Sequence, residues 1–234
     1  MDAQFWHDRW QEGRLGFHEG RVNRMLEAHV GALGLAPGQR IFLPLCGKAV
    51  DIPWLLSRGY RVAGAELSEI AVHELFAGME VRPEVSETGA LRRYAADGID
   101  IFAGDIFDLT ADMLGPVDAV YDRAALVALP EEMRRRYAAH LATLTARAPQ
   151  LLVTFEYDQA AMDGPPFCVT ENEVGRCHGA RYAIEVLADA EVPGGLKGIV
   201  PAREKAMLLR PAGDGADQGH RRDRARRGGS RVTG

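Results

Sequence analysis

Four short stretches carry residues suited to holding a small polar ligand: Leu45-Cys46-Gly47, Glu66, Asp105 and Asp122-Arg123. Each follows an apolar run that reads as a buried strand, so each is expected at a strand's carboxyl end, where open parallel sheets bind their ligands. Glu66 is the most pointed of them. It lies about 20 residues beyond the Cys46-Gly47-Lys48 turn, at the end of the run 61–65, where a carboxylate can accept hydrogen bonds from both hydroxyls of a ribose. The turn holds a single glycine, Gly47, beside Pro44, Leu45 and Cys46. A pyrophosphate site uses a glycine-rich turn so that backbone N–H groups can close on the phosphates at a helix start. An adenosyl ligand with an amino acid, a sulfonium and no phosphate needs less open backbone, so the pattern favours S-adenosylmethionine over NAD.

Two further groups flank these ends. Phe5, Trp6, Trp10 and Phe17 crowd the amino terminus, and Trp6 and Trp10, four apart, share one helix face. They are either the stripe that docks a leading helix or a lid, since aromatic faces attract a cation within about 6 Å by roughly 0.5 to 2 kcal/mol. The segment DQAAMDGPPF, 158–167, joins a flexible Asp-Gly to a rigid Pro-Pro-Phe and suits either a wall beside a flat aromatic substrate or a plain stiff loop. No nucleophile elbow, H-E-x-x-H or Walker motif is present. Methyl transfer to sulfur is consistent with that, because the cofactor carries the reactive group and a thiolate is already a good nucleophile, leaving the protein to align the two.

The elements that must position these residues follow from periodicity. Strands are expected over 41–45, 61–65, 99–103, 117–121 and 150–157, with 181–187 and 206–209 as two more. Helices are expected over 49–56, over 70–76 with Ser68 as cap, and from Pro130 onward, where Met133, Tyr137, His140, Leu141 and Leu144 share a face. The polar stretch 82–98, broken by Pro83 and Gly89, reads as an excursion. Strands alternating with helices imply an α/β, Rossmann-like fold with a mostly parallel seven-stranded sheet covered on both faces. Residues 1–210 are expected to form one domain with an aromatic helical lid at about 3–30. Residues 211–234, rich in Gly, Asp and Arg, cannot bury enough apolar surface to order themselves and are expected to be a disordered tail.

Bulk properties narrow the class. A chain of 234 residues suits a single domain. The net charge of −5, with cations spread along the body of the chain, gives no sign of a nucleic-acid or membrane partner. No apolar run spans a bilayer and Met1-Asp2-Ala3-Gln4 does not begin a signal peptide, so a cytoplasmic monomer acting on a small molecule is expected. Cys46, Cys168 and Cys177 lack paired-ligand spacing; they read as free thiols, with neither a disulfide framework nor a metal site.

The ordered set FWHDRWQEGRLGFH, LPLCGKAVDIPWL, GAELSE, GDIFDL, YDRAALVALP and TFEYDQAAMDGPPF closely resembles the thiopurine S-methyltransferases of bacteria, class I S-adenosylmethionine-dependent enzymes, over about 4–178. The resemblance implies cofactor contacts from Trp10, Leu45, Glu66 and Arg123, with Trp6, Phe17 and the Asp105-Ile106 backbone around the adenosine and sulfonium and S-adenosylhomocysteine as product. It also implies that Arg123 steers the acceptor and that Pro165, Pro166 and Phe167 help form its pocket. Implied acceptors are thiols such as mercaptopurines, and selenium or tellurium species in a detoxification role. A related group of thiol and halide methyltransferases shares part of the pattern. After about Cys177 the chain departs from the family: no substrate-side arginine is identifiable near residues 191–196, and the tail is an extension without family precedent. Two rivals sit beside this reading, an NAD-dependent oxidoreductase and a chalcogen-binding protein using Cys46, Cys168 or Cys177 as ligands.

Overall fold

Short runs of Ile, Val, Phe and Leu that are apolar on both faces can be satisfied only inside a sheet covered on both sides, and these runs form the centre of the molecule. The computed structural model describes residues 3–13 and 20–213. In chain order these give α1 (Ala3–Gln11), α2 (Arg24–His29), β1 (Arg40–Leu43), α3 (Asp51–Ser57), β2 (Arg61–Glu66), α4 (Glu69–Gly78), β3 (Glu84–Thr88), β4 (Leu91–Ala96) and β5 (Ile99–Ala103). The chain continues through α5 (Ala111–Leu114), β6 (Ala119–Arg123), α6 (Glu131–Leu144), β7 (Gln150–Tyr157), α7 (Glu171–His178), β8 (Tyr182–Glu191) and β9 (Ala202–Pro211).

The strands make one sheet in the order β3-β4-β5-β2-β1-β6-β7-β9-β8. Its middle, β5-β2-β1-β6-β7, is parallel, and β9 lies antiparallel between β7 and β8. The order reverses between β1 and β6, which opens a crevice at the carboxyl ends of the central strands. Alternate residues of one strand serve opposite cores: Phe42 packs with Phe102, Tyr137 and Leu141, while Ile41 and Leu43 pack with Ile52, Leu55 and Leu75.

The seven expected strands are present, and two more come from the stretch read as an excursion. β3 and β4 form a hairpin whose Gly89, at φ 60°, opens the two-residue loop between Thr88 and Leu91. β4 pairs antiparallel with β5. The hairpin lies at the sheet edge and shows mostly polar residues to solvent; only Leu91 and Tyr94 turn inward, too few for apolar periodicity to reveal. The strand expected at 117–121 begins and ends two residues later, so Asp122 and Arg123 belong to β6 rather than follow it. Pro211 closes β9 opposite Tyr182, so the segment expected as tail begins inside a strand; residues 214–234 lie outside the described residues.

Of the two leading helices, α2 is part of the body. Met25 and Leu26 are buried, Asn23 caps both their N–H groups, and the Asn23 side chain donates to the buried Glu204 of β9 at 3.0 Å. Only α1 is left to flank the crevice.

Candidate active site

The crevice begins where β1 ends. The chain turns through Leu45 at φ 48° and Gly47 at φ 54°, and the Cys46 N–H donates to the carbonyl of Ala65 at 2.9 Å, tying the turn to β2. Both oxygens of Glu66 then take up turn N–H groups: Gly47 donates to Oε2 at 2.8 Å and Ser68 to Oε1 at 2.9 Å. Ser68 thus heads α4 through its backbone, and its side chain makes no capping bond. Burial raises the Glu66 carboxyl above its usual range, opposed by the N–H groups of Ser68, Gly47 and Leu67. Each oxygen has a second lone pair, so the pair of oxygens can still accept two hydroxyls.

Gly47 is favoured by its positive φ, and it lies against the indole of Trp10, which a Cβ there would meet at an ordinary contact distance of 3.4 Å. The Lys48 ammonium, paired with Glu74 at 2.6 Å, stands 6.0 Å from the Trp10 ring centre. Trp6 lies edge-on to Phe5 with 5.3 Å between ring centres. Trp10 therefore reaches the turn from α1. Phe17 lies outside the described residues.

One strand to the side, the Gly104 N–H donates to the Glu66 carbonyl at 2.8 Å and leads into Asp105. The exposed Asp105 carboxylate accepts the N–H of Phe107 at 2.9 Å, starting a short 3-10 turn in which Ile106 is buried and its carbonyl accepts His140 Nε2 at 2.8 Å. Asp105 and Ile106 are thereby held beside Glu66.

On the other side, β6 ends in Asp122 and Arg123, and the two part company. Asp122 is wholly buried, accepting the Leu126 N–H at 3.1 Å and the Tyr137 hydroxyl at 2.7 Å. Burial raises its carboxyl to about 6. Arg123 is half-buried and is followed by Ala124 at φ 63°, which turns the chain into the 3-10 turn Leu126–Ala128. That turn positions the proline loop: the Val127 carbonyl accepts the Phe167 N–H at 2.7 Å.

The loop is clasped by side chains. The Tyr157 hydroxyl donates to the Pro166 carbonyl at 2.6 Å, the Lys197 ammonium donates to the Pro165 carbonyl at 2.6 Å, and the Arg134 guanidinium lies 5.4 Å from the Phe167 ring centre. Pro165 and Pro166 are buried and Phe167 is half-buried. Gly164, at φ 83°, has no room for a Cβ against the Phe167 ring. Lys197 is the site residue that sequence reasoning missed. It sits at φ 54° between β8 and β9, in the region without periodicity or motif, and burial followed by the nearby charge of Arg9 lowers its pKa. Arg9 belongs to α1, so the leading helix and the last connection meet near this loop.

Along the sheet edge the order is thus Asp105, Glu66, the Leu45–Gly47 turn, Arg123 and Pro165, with carboxylates at one end and cations at the other. The residues fit a phosphate-free adenosyl ligand: a carboxylate with spare lone pairs, one glycine under an indole, and no glycine-rich turn. The cysteines do not assemble with other ligand types; among the described residues no group of three or more His, Cys, Asp or Glu could hold a metal ion. Burial raises the thiols of Cys46 and Cys177, which disfavours their thiolate forms. Among the described residues no helix is long and apolar enough to cross a membrane.

Comparison with known proteins gives the family and the fold. The family model described as Thiopurine S-methyltransferase (TPMT) matches residues 1–209. A thiopurine S-methyltransferase of Xanthobacter autotrophicus is 58% identical over 213 residues, covering 91% of this chain and 100% of that protein. One from Gluconobacter oxydans is 50% identical over 210 residues, covering 90% and 96%. Among solved structures, a 1,6-didemethyltoxoflavin-N1-methyltransferase of Burkholderia thailandensis superposes with a TM-score of 0.61 at 16% identity, covering 89% of this chain and 87% of that one. The magnesium protoporphyrin IX methyltransferase of Synechocystis PCC 6803 superposes with a TM-score of 0.58 at 16% identity, covering 89% and 100%. At that identity the two structures speak for the fold.

Proposed function

The chain belongs to the thiopurine S-methyltransferase family, and from that premise we propose that it binds S-adenosylmethionine between Glu66 and Trp10 and methylates the sulfur of an aromatic or heterocyclic thiol. The observation that carries this reading is the clasp at Glu66, a buried carboxylate fixed by the N–H groups of Gly47 and Ser68 beneath the Trp10 indole. Glu66 accepts the ribose hydroxyls. Leu45 and the Asp105-Ile106 backbone border the adenosine, and Trp6 and Trp10 offer ring faces to the positive sulfonium. When bound, the cofactor supplies an electrophilic methyl group.

The protein's own part is alignment. Pro165, Pro166 and Phe167 form a wall fixed to Val127, Tyr157 and Lys197, against which a flat ring can lie. Arg123 and Lys197 hold positive charge at that end of the crevice and favour the anionic form of the acceptor by charge, not by proton transfer. A thiolate needs no general base at the moment of attack, and the chain contributes orientation and exclusion of water. Reduced selenium and tellurium anions are soft nucleophiles of the same kind and form a second acceptor class.

The test is mass spectrometry of solution and headspace after incubation with labelled S-adenosylmethionine and, in parallel, 6-mercaptopurine, hydrogen selenide, hydrogen telluride and iodide. Labelled S-methyl product from 6-mercaptopurine is the expected result. Product from iodide alone would move the chain to halide methylation. No product from any acceptor, with S-adenosylhomocysteine still binding, would retain the cofactor reading and overturn the acceptor reading.

A further inference from the structure

At the opposite end of the sheet from the crevice, the amino-terminal ends of β1, β2 and β5 border an open pocket of about 550 Å³. Its walls carry three guanidinium groups, Arg40, Arg61 and Arg93, against two carboxylates, Asp100 and Asp112, with the Thr88 hydroxyl beside them. Arg40 and Arg61 face each other because β1 and β2 pair in parallel with these residues in register, and Arg93 arrives from β4, the strand that no periodicity announced.

The charges there are unevenly spent. Both oxygens of Asp100 are engaged, Oδ2 by Arg40 at 2.9 Å and Oδ1 by the Nε and Nη2 of Arg93. Arg40 also donates to the carbonyl of Leu114, yet its buried Nε has no hydrogen-bond partner. The exposed Arg61 guanidinium has no hydrogen-bond or ion-pair partner among the described residues. Burial lowers the pKa of Arg40, and the charges of Arg61 and Arg93 add to that, against the attraction of Asp100. Three like charges converge on one concave surface with a single carboxylate neutralising two of them. An oxyanion relieves that crowding, and planar guanidinium forks match the oxygens of phosphate in pairs.

We propose that the Arg40–Arg61–Arg93 pocket is a second ligand site, for a small phosphate-class oxyanion, independent of the methyl-transfer crevice. The ligand is free phosphate or pyrophosphate, or the phosphate group of a nucleotide. Arg61 is the residue with an uncommitted charge, and Arg40 and Arg93 form the fixed wall behind it.

The experiment is calorimetric titration of the full chain, saturated with S-adenosylhomocysteine, with pyrophosphate, with inorganic phosphate and with ATP. Saturation of the crevice keeps this result separate from the cofactor reading. Expected is one-to-one binding of at least one anion, weakened about tenfold by Arg61→Ala and by Arg61→Gln, lost in Arg61→Glu, and unchanged in Arg210→Ala, a surface arginine of β9 used as control. Pyrophosphate or phosphate binding would assign the site to the free anion, and binding of ATP alone would assign it to a nucleotide. Arg61 is exposed, so these variants spare the core, and matching melting temperatures would verify their folding. No binding by any of the three anions, or binding indifferent to Arg61→Glu, would overturn the proposal.

Discussion

Glu66 and Asp122 are both buried carboxylates at the carboxyl ends of central strands, and they do different work. The oxygens of Glu66 take N–H groups from its own and the neighbouring turn and keep lone pairs toward the crevice. Those of Asp122 take the Leu126 N–H and the Tyr137 hydroxyl, and its side chain has no exposure at all. In the proposed reading Glu66 meets the ligand, whereas Asp122 holds the turn that carries Arg123 and, through Val127, the proline loop. The carboxylate group and its place at the end of a central strand are the same in both; what separates them is which groups surround the second lone pair.

The widest way to break this comparison is by pH. A carboxyl raised from 3.8 to about 6 on folding binds its proton more tightly in the native state. Its contribution is fully favourable below about pH 4 and is lost as pH rises to about 6, a change of about 3 kcal/mol. His178 on α7 works in the opposite sense: burial, and then the charge of Arg181, lowers it from 6.5 to about 4, so stability is lost as pH falls through that window, again by about 3 kcal/mol. The two slopes oppose one another in the parent protein. Denaturant unfolding at a series of pH values should therefore show Asp122→Asn gaining stability with rising pH between 4 and 6.5, relative to the parent, and His178→Gln losing it. Parallel curves for parent and Asp122→Asn would mean that Asp122 is not the buried post described.

Glu66 sharpens the contrast from the binding side. Glu66→Ala removes charge-assisted hydrogen bonds to the ribose and should weaken S-adenosylhomocysteine about 30-fold or more, about 2 kcal/mol. Asp122→Asn should leave that affinity within about threefold. Calorimetric titration decides between them, and unchanged affinity in Glu66→Ala would remove that residue from the site.

How much of this was legible depended on whether a residue's partner lay nearby in sequence. The turn at Gly47 and Glu66 spans one strand-helix-strand unit, and its spacing alone gave the ligand class; β5, β7 and α6 followed from apolar runs or helical periodicity. Asp122 groups with Glu66 among the chemically pointed strand ends because Tyr137, which consumes its second oxygen, lies on the following helix and reads only as one of an apolar face. The β3–β4 hairpin escaped because an edge pair keeps just Leu91 and Tyr94 inside. Arg123 reads as the cation beside the acceptor, but Lys197 escaped because it reaches Pro165 across 32 positions from an irregular connection.

Lys197 also yields the smallest and most discriminating prediction. Its ammonium is partly shielded and lies near the charge of Arg9, and it donates to the Pro165 carbonyl at 2.6 Å, so it can act on the acceptor by charge and on the loop by its hydrogen bond. Lys197→Met keeps the aliphatic stem and removes both. If charge dominates, the KM for an anionic thiol should rise about fivefold, about 1 kcal/mol, with kcat and S-adenosylhomocysteine affinity little changed. If the loop clasp dominates, kcat should fall for charged and neutral acceptors alike, because the wall that aligns the ring has lost one of its three ties. Steady-state kinetics with a carboxylated and an uncarboxylated aromatic thiol separates the two. A variant indistinguishable from the parent with both acceptors would leave Arg123 as the cation that matters there and return Lys197 to a purely structural role in the last connection.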